Sequence, residues 1–288
     1  MRLNEVLSKT IQFFKDKQYE VPRLEAELLI SHALKIPRIQ LYVKYDQPLT
    51  EAEVSLCREY VKRRVAGEPV AYITEEKGFY GLNFKVKSGV LIPRPETELI
   101  VDDVLKNIGK NKPNQEVQIL DLGTGSGCIG LSIIKNAPLA KLVAIEKSEI
   151  AFKMAQENCA LLGLEDRSII INSPVESVDF TRFGLFDYIV ANPPYIDVHD
   201  TQVEVNVRKY EPEGALFAGD QGYEHLKRWT EIALKLLKPN GLVLFEIGST
   251  QGAAMKNYVE SLGNYSDIEI LKDLAGLDRI IKARIKAN

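Results

Sequence analysis

The sequence predicts an α/β fold preceded by a small helical domain. Short apolar runs recur through the last two thirds of the chain with helix-period segments between most of them. A glycine-rich stretch follows the first of those runs, at the place where a buried strand would turn into a helix. The first seventy or so residues carry only helical spacing.

In that leading segment Leu3, Val6, Leu7, Ile11 and Phe14 recur at intervals of three and four, and Pro22 opens a second stripe of Leu24, Leu28, Leu29 and Ala33. Thr50 and Glu53 have the spacing of a capping box, and the helix they open carries Val54, Leu56, Val61 and Val65 until Gly67 and Pro69 stop it. Arg58, Lys62, Arg63 and Arg64 read as a solvated basic face of that helix. From 71 to 92 the period changes: Phe79, Leu82, Phe84, Val86 and Val90 stand among Gly78, Gly81 and Gly89, which predicts a hairpin. The organisation expected is a helical domain over 1–72, a β-hairpin connector over 73–92 and an α/β domain over 93–288.

In the α/β domain a helix is expected over 96–108, with Leu99, Val101, Val104, Leu105 and Ile108. Buried strands follow at Val117–Leu122, 142–145, 169–171, 188–191 and 242–247, with helices at 150–162 and 222–237. Strands buried on both faces and separated by helices predict a parallel sheet with helices on each side.

The composition narrows the function. Hydrophobic residues make up 45% and charged residues 27%, the mix of a chain that buries a core. A net charge of −3 argues against bulk electrostatic capture of nucleic acid, so no stable nucleic-acid binding is expected. No apolar run reaches the roughly 18 residues of a membrane-spanning helix, and 1–17 lacks the apolar stretch of a signal peptide, so no membrane partner is expected. Cys57, Cys128 and Cys159 fit neither a disulfide framework nor a metal knuckle, which makes the cytoplasm the default compartment. His32, His199 and His225 show no ligand spacing; surface or capping roles and no metal are expected.

The glycine stretch reads Asp121-Leu122-Gly123-Thr124-Gly125-Ser126-Gly127-Cys128-Ile129-Gly130. A P-loop would require Lys then Ser or Thr after its last glycine, where Leu131 and Ser132 stand, and a nucleophile elbow would require glycines two residues on either side of Ser126, where Thr124 and Cys128 stand. The dinucleotide pattern is satisfied by Gly125, Gly127 and Gly130, with Glu146 where a ribose-binding acid belongs. Asp121 adds negative charge where a pyrophosphate would lie, and suits an ammonium or sulfonium instead. That favours S-adenosylmethionine over a nicotinamide dinucleotide.

Asn192-Pro193-Pro194-Tyr195 follows the strand at 188–191. The prolines fix the direction in which the chain leaves the sheet and hold Asn192 and Pro193 extended, freeing the Asn192 side-chain oxygen and the Pro193 carbonyl as two acceptors for one NH2 group. Tyr195 supplies a flat ring for a planar amide or base. The order of glycine loop, Glu146 and Asn-Pro-Pro-Tyr resembles class I (Rossmann-like) S-adenosylmethionine-dependent methyltransferases that act on planar NH2 groups. Glu68-Pro69-Val70-Ala71-Tyr72-Ile73, Phe79-Tyr80-Gly81 and Pro93-Arg94-Pro95-Glu96-Thr97-Glu98-Leu99 are similar to the HemK/PrmC family of release-factor glutamine N5-methyltransferases.

The resemblance implies transfer of a methyl group from S-adenosyl-L-methionine, leaving S-adenosyl-L-homocysteine, to the glutamine of the Gly-Gly-Gln motif of peptide chain release factors. It implies that Asp121, Gly123, Thr124, Gly125, Ser126 and Gly127 wrap the cofactor, that Glu146 binds its ribose, and that Asn192, Pro193, Pro194 and Tyr195 hold the substrate, with Asn192 touching both. Where many members carry an aspartate and an aromatic residue beside the adenine, this chain has Ser173, Pro174 and Val175, leaving Val175 as apolar cover and the backbone or Asn172 for the exocyclic amine. Arg94 and Glu96 are expected either to close over the site or to cap the next helix. The alternative reading is N6-methylation of adenine in DNA or RNA, which uses the same tetrapeptide logic.

Overall fold

The computed structural model describes residues 1–112 and 114–286, and the chain divides into two compact units, Met1–Glu76 and Lys77–Asn288. The first unit contains α1 (Leu3–Asp16), α2 (Pro22–Ala33), α3 (Gln40–Val43), α4 (Glu51–Val65) and α5 (Val70–Thr74). The capping box forms as the spacing predicts: Glu53 N–H donates to Thr50 Oγ1 at 3.2 Å and Thr50 N–H to Glu53 Oε2 at 2.7 Å. Phe14, Leu29, Ile30 and Leu41 are fully buried, and Phe14 stacks on Tyr19 at 4.7 Å between centroids.

Three expectations are corrected in this unit. Residues 71–74, expected within the hairpin segment, are helical: Pro69 is the N-cap of α5, which buries Tyr72 and Ile73. Leu29 and Ala33 are buried as expected, but Leu24 is exposed, and Ala26 and Ile30 complete the buried face of α2. Nor is the basic face of α4 wholly solvated: Arg64 lies 4.7 Å from the Tyr19 ring centroid and pairs with Glu25 at 2.7 Å, and Arg63 forks onto Glu68.

The second unit opens with the hairpin of β1 (Glu76–Phe79) and β2 (Leu82–Lys85), whose Phe79 and Phe84 meet edge to face and enter the core. α6 (Glu98–Asn111) precedes β3 (Val117–Leu122), α7 (Cys128–Asn136), β4 (Ala140–Glu146), α8 (Glu149–Leu162), β5 (Ser168–Asn172) and β6 (Phe186–Ala191). A short parallel pair, β7 (Ile196–Asp197) and β8 (Phe217–Ala218), encloses α9 (Val205–Tyr210) and α10 (Glu213–Leu216). Then come α11 (Glu224–Leu236), β9 (Leu237–Glu246), α12 (Gly252–Ser261), β10 (Tyr265–Lys272) and β11 (Asp278–Ile285).

Among the described residues the main sheet has seven strands in the order β10-β11-β9-β6-β3-β4-β5. Strands alternate their side chains between two cores. Ile119, Tyr188, Val190 and Leu244 pack with Ile100, Val104, Leu131 and Ile134 on the face covered by α6 and α7, whereas Leu120, Ile189, Val243 and Phe245 pack with Leu226, Trp229, Met255 and Val259 on the face covered by α11 and α12.

The sheet is not uniformly parallel, contrary to the sequence expectation. β11 runs antiparallel to β9 and β10 antiparallel to β11. These two strands were missed because charges are interleaved with their apolar residues, as in Asp267, Glu269, Lys272, Lys282 and Arg284. β5, expected to be buried, lies at the sheet edge and leaves Ile169 half exposed.

Two buried features bear on stability. Asp187 on β6 accepts the Gln118 N–H at 2.8 Å and the ammoniums of Lys238 at 2.7 Å and of Lys112. Burial raises its pKa, but those partners outweigh it and hold the carboxyl below the usual range, so its stabilisation is present above the unfolded-state value and is lost as pH falls through the lower folded one. Asp187→Ala is expected to lower the unfolding free energy by about 2–3 kcal/mol in urea denaturation, since it strands a buried N–H and two lysines. The three cysteines are free buried thiols, with burial pushing Cys57 up to about 11 and Cys128 up to about 12.

Candidate functional site

The sheet order reverses at β3, with β4 and β5 on one side and β6 and β9 on the other, so loops leaving β3 and β6 diverge and open a crevice at their carboxyl ends. A cavity of ≈ 310 Å³ lies there. Its walls come from the segment between β2 and α6, the loop after β3, the end of β4, the segment after β5, the start of the loop after β6, α10 and α11.

Gly123 and Gly125 have φ of +66° and +59°, a backbone that side-chain-bearing residues rarely adopt. A Cβ on Gly123 would stand 2.8 Å from Trp229 Cη2, so the loop passes close against that side chain; around Gly125 a Cβ would meet nothing within 4 Å. Glu146 is braced by the loop it faces: Oε2 accepts the Gly125 N–H and Oε1 the Ser148 N–H, each at 2.8 Å. Each oxygen keeps a further lone pair. Burial raises the Glu146 pKa, and those two N–H groups partly offset it.

Asp121 lies fully buried beneath the loop. Oδ2 accepts the Thr124 hydroxyl at 2.6 Å and the Gly130 N–H at 3.0 Å, while Oδ1 is buried without a partner. Burial pushes this carboxyl up to about 6. An orphaned carboxylate oxygen is a costly feature that a cationic ligand group would relieve.

Of the residues singled out from the sequence, Gly123, Thr124, Gly125, Ser126, Glu146, Val175, Asn192 and Pro194 line the cavity. Asp121, Gly127, Pro193 and Tyr195 do not: Gly127 caps α7, Pro193 is buried, and the Tyr195 hydroxyl donates to Glu246 at 3.0 Å. Asn172 is turned away, its amide donating to the carbonyls of Glu146 and Lys147. Arg94 pairs with Glu211, which also accepts the Ile92 N–H at 3.3 Å.

Several cavity residues escaped the sequence reading. Trp229 and His225 enter from α11, 5.4 Å apart between ring centroids; His225 is half-buried at the cavity wall, with Nδ1 buried and without a partner. Glu176 brings a carboxylate one residue beyond Val175 and accepts the Trp229 indole N–H at 3.2 Å. Thr97 lines the cavity beside Asn192, whose Nδ2 donates to its hydroxyl at 3.2 Å. The amphipathic period of α11 disguised Trp229 as ordinary core, and no local signal marks Thr97.

Comparison with known proteins places this geometry. The PrmC N-terminal domain model matches residues 5–74 and the methyltransferase small domain model matches residues 97–210. The chain is 36% identical over 280 residues to the release factor glutamine methyltransferase of Chlorobaculum tepidum, covering 96% of this chain and 94% of that one. It is 38% identical to that of Thermodesulfovibrio yellowstonii, with 89% and 90% covered. The chain belongs to the release factor glutamine methyltransferase family. Among solved structures, the N-terminal domain of human METTL16 in complex with SAH is similar with a TM-score of 0.54 at 17% identity, over 80% of this chain and 84% of that one. The 16S rRNA N2 G1207 methyltransferase of T. thermophilus, in complex with AdoMet and guanosine, is similar with a TM-score of 0.53 at 18% identity, over 73% and 50%. These likenesses are of fold, and the second unit has the class I, Rossmann-like methyltransferase architecture expected from the sequence. Among the described residues no helix is long and apolar enough to cross a membrane.

Proposed function

We propose that this protein transfers a methyl group from S-adenosylmethionine to the side-chain amide nitrogen of the glutamine in the Gly-Gly-Gln motif of peptide chain release factors. The observation that carries the reading is that the glycine loop, Glu146 and Asn192 line one cavity in a chain whose near-full-length relatives are release factor glutamine methyltransferases.

When bound, S-adenosylmethionine supplies a methyl group on a positively charged sulfur. The orphaned Asp121 Oδ1 and the Gly123–Gly127 backbone, with Thr124 and Ser126, suit its amino-acid end; the free lone pairs of Glu146 suit its ribose hydroxyls. Val175 is the apolar wall for the adenine, and Glu176 takes the place of the missing aspartate as the carboxylate beside it.

An amide nitrogen is a weak nucleophile because its lone pair is delocalised. In this reading Asn192 Oδ1 and the Pro193 carbonyl each accept one substrate N–H, which aims the nitrogen lone pair at the methyl, while Pro194 and Tyr195 flank the amide. Such alignment supplies about 7–11 kcal/mol of the barrier reduction, and no strong base is needed because the proton becomes acidic only as the methyl arrives and then leaves to water or to the same two acceptors. Residues 1–72 serve as the substrate-recognition domain, with 73–92 as the connector. Buried free thiols at Cys57, Cys128 and Cys159 fit the reducing cytoplasm as the working compartment.

Affinity for S-adenosylmethionine is expected to rise with pH through about 6, the value to which burial pushes Asp121, because the ionised carboxylate is the binding form. Below that point binding weakens by up to about tenfold per pH unit, measurable by titration calorimetry between pH 5 and 8. In the ligand-free protein the sign is opposite: a raised folded pKa contributes stability at low pH that is lost as pH climbs through about 6.

The deciding experiment follows labelled methyl from S-adenosylmethionine to purified release factor, to its Gln-substituted loop variant, and to single-stranded and duplex nucleic acid. Label on the unaltered factor alone supports the proposal. Label on nucleic acid would transfer the Asn-Pro-Pro-Tyr chemistry to adenine and overturn it.

A further inference from the structure

Glu246, at the carboxyl end of β9, is a carboxylate 2% exposed to solvent. It accepts the Thr97 hydroxyl on Oε2 at 2.5 Å and the Tyr195 hydroxyl on Oε1 at 3.0 Å. Burial, with Glu96 nearby, raises its pKa; the two hydroxyls and Arg279, itself engaged with Asp273 at 2.7 Å, oppose that rise and favour the ionised form. Burying a carboxylate against two neutral hydroxyls is expensive, and a glutamine or methionine would fill the space at less cost. The charge therefore calls for a reason beyond packing.

Proton counting supplies one. Thr97 has a single hydroxyl proton, and when Glu246 is ionised the 2.5 Å contact commits that proton to the carboxylate. Only lone pairs remain toward Asn192, 3.2 Å away, so the amide must present its NH2 end to Thr97. Asn192 Oδ1 then takes no proton from Thr97 and is left as an acceptor. Were position 246 neutral and able to donate, Thr97 would be free to turn its proton toward Asn192, and the amide would lose its preferred face. The other oxygen of the same carboxylate pins the phenol of Tyr195, so one anion addresses both ends of the tetrapeptide.

We infer that Glu246 is a positioning residue for methyl transfer, acting through Thr97 to set which end of the Asn192 amide meets the substrate nitrogen and through the Tyr195 hydroxyl to fix the far end of the tetrapeptide. The inference rests on the glutamine N-methylation reading. Glu246 touches neither substrate nor cofactor; its work is to make Asn192 an acceptor.

The test compares wild type, Glu246→Gln, Thr97→Val, Thr97→Ser and the Glu246→Gln/Thr97→Val double variant. For each, kcat and KM are measured for methyl transfer to release factor, and S-adenosylmethionine affinity by calorimetry. Glu246→Gln and Thr97→Val should each lower kcat about 10–100-fold, the scale of a misaligned reacting group, with cofactor Kd within about twofold of wild type. Thr97→Ser, which keeps the hydroxyl, should restore most of kcat. The double variant should be no slower than the slower single variant, because both break one relay. An unchanged kcat in Glu246→Gln, multiplying losses in the double variant, or a Thr97→Ser as slow as Thr97→Val would overturn the inference. If Glu246→Gln does not fold, the Thr97 pair decides, since Ser and Val differ in the hydroxyl and bracket the packing. A wild type that labels only nucleic acid defeats the underlying reading, and the inference with it; active wild type with indifferent variants defeats the inference alone.

Discussion

Asn192→Ala is expected to lower kcat for release-factor methylation by about 10²–10³-fold, the cost of removing one fixed hydrogen-bonding group aimed at a reacting atom. Its affinity for S-adenosylmethionine should stay close to wild type, because the loop after β3 and Glu146 are braced by contacts of their own and not by Asn192. Steady-state kinetics with calorimetric binding separates the two quantities. Alanine also leaves Thr97 Oγ1 without its donor, but the Thr97 bond to Glu246 persists, so the wall of the cavity is retained. Parallel loss of turnover and cofactor binding would mean that Asn192 is part of the cofactor cradle and would remove it from the role of substrate acceptor.

Glu146→Ala is expected to show the converse pattern. Two hydrogen bonds from ribose hydroxyls to a charged acceptor, at about 1.5–3 kcal/mol each, correspond to a Kd for S-adenosylmethionine raised by at least about 10²-fold. The Gly125 and Ser148 N–H groups lose their acceptor as well, so the loop loses part of its preorganisation. At saturating cofactor, kcat should fall far less than in Asn192→Ala, and the thermal shift produced by S-adenosylmethionine in wild type should largely vanish. A variant with intact affinity but poor kcat would show that Glu146 acts on the chemical step and not on the ribose.

Much of this architecture was legible from residue order because its determinants are local. Thr50 and Glu53 close their box, and β3, β4 and β6 are mostly apolar because both faces of the sheet are covered there. What was missed depends on partners distant in sequence. Glu246 ends an apolar strand and looks like an ordinary polar terminus until Thr97, 149 residues away, is folded against it. Trp229 reads as a core aromatic on α11 until Gly123 is seen packed close against it. β10 and β11 lie at and near an edge, where one face is partly wet and charges are tolerated, so their period is diluted. The glycine loop escaped that difficulty because positive φ is a backbone demand that the chain must meet at the residue itself.

The placement of the three thiols gives each unit its own reporter of opening. Cys57 lies in the helical unit and Cys159 on the buried face of α8 in the sheet-bearing one, both sealed and poorly ionised, so an alkylating reagent reaches either only when its surroundings come apart. Alkylation rates at the two positions, resolved by mass spectrometry, therefore read the opening equilibria of the two units separately in one sample. Cys128, at the cavity wall, adds a third clock that a bound ligand would slow without touching the one at Cys57.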